Sequence, residues 1–110
     1  MSGPKLLDVY LTALDPTPGS EIQKTRPCVV VSPDEMNRHL RTVLVAPLTS
    51  SGRDYPWRVP VFFEARQGHA ALDQLRAVDR SRLVKRLGAL SEREGRAMLD
   101  SLTEMFRPAG

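Results

Sequence analysis

Short apolar or alternating runs, each closed by a turn signal, fill most of the chain, and one capped amphipathic segment ends it. Asp8 to Leu14 alternates imperfectly and reads as a strand. Pro16, Pro18 and Gly19 break it and open a long polar loop. Cys28 to Val31 is uniformly apolar and reads as a buried strand entered from Pro27. Thr42 to Leu48 (TVLVAPL) is another, with Pro47 pointing to an edge or a strand end. Trp57 to Phe63 alternates, Gln67-Gly68 turns the chain, and Ala70 to Leu75 and Leu83 to Leu90 are weaker strands. Ala77 to Arg82 between them reads as a helical or 3₁₀ turn. Ser32, Pro33 and Glu35 have the spacing of a capped short helix. Ser91 and Glu94 form a second capping box, followed by Met98, Leu99, Leu102, Met105 and Phe106 at helical spacing and by Pro108 as a stop. Strands followed by one helix imply an α+β, mainly β fold: a small barrel or strongly bent antiparallel sheet with a C-terminal helix packed on it.

With 110 residues, 41% of them apolar, the chain is expected to form a single domain spanning residues 1–110. No run approaches the roughly 18 apolar residues of a membrane span. The first residues lack a secretory signal pattern, and one cysteine excludes an internal disulfide framework, so a cytoplasmic protein is expected. The formal charge of +3 is too mild to indicate nucleic acid by itself. Arginine outnumbers lysine, and Arg76, Arg80, Arg82, Lys85 and Arg86 crowd one stretch; this suits either phosphate contact or a solvated, salt-bridged surface. His39 and His69 have no ligand spacing and no second cysteine beside them, so no metal site or cofactor is expected.

The most informative segment is DPTPGSEIQKTRPCVVVSP, Asp15 to Pro33. Its loop carries Glu21, Gln23, Lys24, Thr25 and Arg26 and feeds directly into the Cys28 strand. A guanidinium rooted at the mouth of a buried strand offers rigid donors to a phosphate. The structural alternative is an Arg26–Glu21 surface ion pair, worth about 0–1 kcal/mol.

Together with TVLVAPLTSSGRDYPWRVPV and ALDQLRAVD, the segment resembles the MazF/PemK toxin endoribonucleases of bacterial type II toxin–antitoxin pairs, in order along nearly the whole chain. The resemblance implies an SH3-like, CcdB/PemK-like fold and a homodimer. It also implies metal-independent cleavage of single-stranded RNA, typically mRNA, leaving 2′,3′-cyclic phosphate and 5′-hydroxyl ends. A cognate antitoxin with an extended, acidic C-terminal segment would inhibit it. The motif arginine falls on Arg26 and the strand-end threonine on Thr49, which makes these the implied catalytic pair; Glu21 joins them as general base or as the group that holds Arg26. Gln23, Lys24, Thr25, Ser50, Arg53 and Trp57 are RNA-binding candidates, with Asp73 and Gln74 from the weaker third block, where the alternative is a structural role, Asp73 capping a turn or pairing with Arg76. A histidine–aspartate–arginine scheme used by some members lacks its histidine, replaced here by Ser20, and its arginine, replaced by Ala71. Two rival functions share the fold: a toxin that binds and poisons DNA gyrase, and a catalytically silent RNA-binding barrel.

Overall fold

The computed structural model describes residues 3–15, 24–50 and 52–109. In chain order it contains β1 (Asp8–Asp15), β2 (Lys24–Val30), α1 (Asp34–His39), β3 (Thr42–Thr49), β4 (Arg58–Phe63), β5 (Arg66–Ala71), β6 (Arg76–Asp79), β7 (Leu83–Ala89) and α2 (Glu92–Met105). Two 3₁₀ turns, Leu72–Gln74 and Arg80–Arg82, flank β6. The strands pair antiparallel in the order β4-β5-β3-β2-β1-β7, with β6 also on β3.

β3 is the element that bends the sheet. Its first half, Thr42 to Val45, pairs with β6, while Leu48 and Thr49 pair with Ala70 and His69 of β5. The same strand therefore hands over from one partner to another, which curls the sheet into a half-barrel. Pro47 falls in the gap between the two partners, where the ladder on that edge is interrupted and a missing N–H does least harm.

The curl creates two cores. Val9, Val29, Ala46, Val59, Val61, Ala70, Leu72 and Met98 fill the larger one beneath α2. Cys28, Val30, Val43, Val45 and Val78 fill the smaller. β2 contributes Val29 to the first and Cys28 and Val30 to the second, so its inner half is buried on both faces. A strand buried on both faces must read as a continuous apolar run, and this one does.

The Ser91–Glu94 capping box forms as the spacing predicts. Glu94 also accepts a 2.6 Å bond from the Phe62 backbone N–H, tying the start of α2 to the outer strand β4. Met98 is buried and Leu102 packs on the core, whereas Leu99, expected there, is exposed.

Other expectations are corrected. The chain does not turn at Gln67-Gly68: both lie in β5, and the β4–β5 hairpin closes at Glu64-Ala65, between the paired Phe63 and Arg66. Both turn residues have positive φ, 51° and 61°, as a two-residue type I′ turn requires. Ala70–Leu75 is a strand only to Ala71, and Ala77–Arg82 divides between β6 and the second 3₁₀ turn. Ser32 does not cap α1. Its hydroxyl is buried, donating to Asn37 Oδ1 at 2.5 Å and accepting from the Leu44 N–H at 3.1 Å. The buried Asn37 amide needs that partner more than an exposed helix start does.

Candidate active site

β2 and β3 hold their register through buried pairs: Cys28 opposite Pro47, Val29 opposite Ala46, Val30 opposite Val45. Pro27 and Arg26 lie just beyond that ladder on β2, and Leu48 and Thr49 just beyond it on β3. All four line one open groove of about 630 Å³. Ser50 continues that wall, while Val61 and Phe63 of β4, Glu64 of the hairpin turn, and Arg66, Gln67 and Gly68 of β5 form the facing one. The guanidinium of Arg26 has an exposed side chain on a strand whose next residues are core, so its root is fixed and its head is solvated.

Close strand contact brings the two walls together. A Cβ on Gly68 would fall far inside contact distance of the Thr49 carbonyl oxygen and close to the Ser50 Cα. Only glycine permits that approach. Gly68 thereby sets how near β5 lies to the strand end that carries Thr49.

The groove is chemically mixed. Arg26 and Arg66 supply two guanidinium groups, Thr49 and Ser50 two hydroxyls, Gln67 an amide, and Glu64 the one carboxylate among its described lining residues. Val61, Phe63, Leu48 and Pro27 give its lining an apolar part. This composition can bind an anion beside a flat, partly apolar group.

Of the residues singled out from sequence, the structure brings Arg26, Thr49 and Ser50 into the groove. Glu21 and Gln23 lie outside the described residues, as do Gly19 and Ser20. Lys24 and Thr25 are exposed at the start of β2 and do not line the groove. Arg53 and Trp57 are not in it either: the Arg53 guanidinium lies 5.9 Å from the Tyr55 ring centre, and Trp57 stacks on Tyr55. Asp73 is held by Arg58 through two hydrogen bonds, of 2.5 and 2.9 Å, and Gln74 sits beside it in the first 3₁₀ turn. The bond from Arg58 keeps the Asp73 carboxyl below its ordinary range. That pairing gives Asp73 a structural role beside the Leu72–Gln74 turn and keeps it out of the groove lining. The basic run is also used structurally in part, since Arg86 donates to the largely buried Asp8 at 3.1 Å.

Sequence reasoning missed Phe63, Glu64, Arg66 and Gln67. Their signal depends on the position of the hairpin turn, and Gly68 is a stronger turn residue than Glu or Ala. With the turn moved, these residues fall outside any expected site.

Cys28 is fully buried; burial, only partly offset by the Thr12 hydroxyl, pushes its thiol up to about 11, so it is inert at neutral pH. Among the described residues no group of three or more His, Cys, Asp or Glu side chains could hold a metal ion. Among the described residues, no helix is long and apolar enough to cross a membrane.

Comparison with known proteins places this geometry in context. An endoribonuclease MazF of Staphylococcus saprophyticus is 35% identical, the match covering 79% of this chain and 78% of that protein. An endoribonuclease from a mycobacterial species, solved in complex with its cognate antitoxin, superposes with a TM-score of 0.82 at 21% identity, covering 98% of this chain and 100% of that one. MazF from Deinococcus radiodurans gives a TM-score of 0.76 at 23% identity, covering 96% and 97%. At such identities these two structures establish the shared fold. Residues 5–106 match the family of PemK-like, MazF-like toxins of type II toxin–antitoxin systems, and the chain belongs to that family.

Proposed function

We propose that the chain is a metal-independent endoribonuclease toxin that cuts single-stranded RNA, with Arg26 and Thr49 as its catalytic pair. The observation that supports the reading is that both, from the ends of adjacent strands, line one groove. Attack of a 2′-hydroxyl on the adjacent phosphorus builds negative charge on the non-bridging oxygens, expels the 5′-oxygen and leaves a cyclic phosphate. A guanidinium donates two parallel bonds to such a centre and keeps its charge at any working pH. The Thr49 hydroxyl supplies a further donor to a non-bridging oxygen or orients the attacking hydroxyl. The attacking 2′-hydroxyl must give up its proton and the departing 5′-oxygen must gain one; a carboxylate can take the first and return it to the second, Glu21 on family resemblance or Glu64, which lines the groove. Two groups from one chain's strands form one groove, and assembly as a homodimer would supply two such grooves. A cognate antitoxin with an acidic extended segment would compete for the arginines.

The test is incubation of the purified protein with a long unstructured RNA in EDTA. New 5′-hydroxyl and 2′,3′-cyclic phosphate ends are expected, and Arg26→Ala should lower the rate by about 10²–10³-fold with fold retained. Cleavage at the parent rate by that variant would remove Arg26 from the mechanism. Loss of the parent's activity in EDTA would remove metal independence.

A further inference from the structure

Tyr55 and Trp57 are large aromatic residues, 44% and 41% exposed, and neither belongs to a core cluster. Their rings stack on each other, parallel to within 3° and 5.1 Å apart between centres. Arg53 adds a cation over Tyr55.

The segment that carries them is fastened on several sides. The Arg58 N–H donates to the Tyr55 carbonyl at 2.9 Å, and the Leu72 N–H to the Trp57 carbonyl at 2.9 Å. Asp54 is bonded to His69 Nε2 at 2.7 Å. His69 is the cross-strand partner of Thr49, and its Nδ1 is buried without a hydrogen-bond partner among the described residues. With Nε2–H donating to the carboxylate, Nδ1 is the bare ring nitrogen, the tautomer in which a lone pair is the group left unpaired. The strap therefore joins the aromatic loop to the strand pair that carries Thr49.

We propose that the Tyr55–Trp57 stack is a platform for an unpaired nucleobase of the RNA, held in position by the Asp54–His69 strap. The proposal rests on the nuclease reading and locates a second contact for its substrate outside the catalytic groove. Exposed parallel rings bind bases through π-faces, whatever the base identity, and a guanidinium beside them attracts the phosphate backbone. The chain runs from Ser50 in the groove to this loop, so a strand leaving the groove along it meets the platform within a few nucleotides. His69 is a positioning residue on this account, acting through Asp54.

Trp57 is the only tryptophan, so its emission reports the platform directly. The full-length protein is titrated with a fully 2′-O-methyl single-stranded oligonucleotide, which cannot be cut. Trp57 emission should be quenched on binding, Trp57→Ala should bind about tenfold more weakly, and Trp57→Phe should recover most of that loss. In His69→Gln and Asp54→Asn, acrylamide should quench Trp57 more readily and affinity should fall severalfold, with kcat on cleavable RNA within about twofold of the parent. A saturated complex with unchanged Trp57 emission, or a Trp57→Ala protein that binds like the parent, overturns the platform. A fall in kcat with unchanged affinity in the His69 variant overturns the strap in favour of an action through Thr49. A parent that binds oligonucleotide, quenches and yet cuts no RNA supports the platform and overturns the nuclease reading; a parent that cuts RNA without binding oligonucleotide overturns the platform alone, and one that does neither overturns both.

Discussion

Arg26 and Thr49 line one groove from the ends of neighbouring strands, whose register is locked by the buried Cys28–Pro47 pair two residues from each of them. Neither residue sits on a free loop. Arg26 stands where β2 leaves the core, and Thr49 closes β3 in the half that pairs with β5. Mounting two polar groups on strand ends fixes their spacing through the core beneath them.

The role of Thr49 separates into shape and hydroxyl. Thr49→Val keeps a β-branched side chain in the strand but removes the donor, while Thr49→Ser keeps the donor. The valine variant should cut RNA about 10²-fold more slowly and the serine variant should stay within about tenfold of the parent. Both should melt close to the parent, because Thr49 is only half-buried. Single-turnover cleavage rates decide the point, and a valine variant as fast as the serine one would exclude the hydroxyl.

Gly68 should be intolerant of even one methyl group. The added Cβ would drive into the Thr49 carbonyl, which is backbone and cannot rotate away. Gly68→Ala is expected to cost about 1–3 kcal/mol in a urea melt, as overpacking does. It should also depress cleavage beyond the stability loss, since relief of the clash moves β5 away from Thr49. An alanine variant with the parent's midpoint would mean that the two strands are further apart than described.

Much of this was legible from the residues, for a physical reason in each case. Arg26 and the Cys28 run were adjacent in sequence, so a polar loop meeting a buried strand could be read directly. The Ser91–Glu94 box involves neighbours within one turn and needs no tertiary information. The groove's far wall was not legible, because it depends on where the hairpin closes. Glu64 and Ala65 carry none of the usual turn chemistry, and the tight pairing of Phe63 with Arg66 overrides their preference. Ser32 was misread for a similar reason: its hydroxyl serves Asn37, a partner that only the folded chain supplies. The bond of Asp73 to Arg58 was not legible either, because it is a cross-element contact no local pattern announces.

Glu94 makes stability depend on acid pH. Burial pushes its carboxyl upward, but bonds from the Phe62 N–H, the Ser91 N–H and the Ser91 hydroxyl outweigh that and leave it below the ordinary glutamate range. A lowered folded-state pKa stabilises the fold above the unfolded value, about 4.3, and the contribution disappears as pH falls through the folded value. Glu94→Ala should therefore cost about 1–2 kcal/mol at pH 7 and progressively less below about pH 4. Denaturant melts of both proteins across that range measure the difference, which should narrow with acid; a constant gap would show that packing, not the carboxylate, is lost.

The hairpin turn offers the opposite kind of variant, one that stabilises. Ala65 holds φ of 61°, a left-handed conformation that costs an L side chain about 1–2 kcal/mol per residue. Its side chain is exposed, so removing it opens no cavity. Ala65→Gly relieves the strain, and the entropy of the freer unfolded chain offsets part of the gain. A net stabilisation of about 0.5–1 kcal/mol is expected in a urea melt. Because the turn positions Glu64 and Arg66 at the groove, the cleavage rate is also informative. If the register Phe63–Arg66 is right, the glycine variant keeps the same two-residue turn and cuts RNA at the parent rate. A destabilised Ala65→Gly protein would instead show that the chain turns elsewhere, and the wall formed by Glu64, Arg66 and Gln67 would have to be rebuilt.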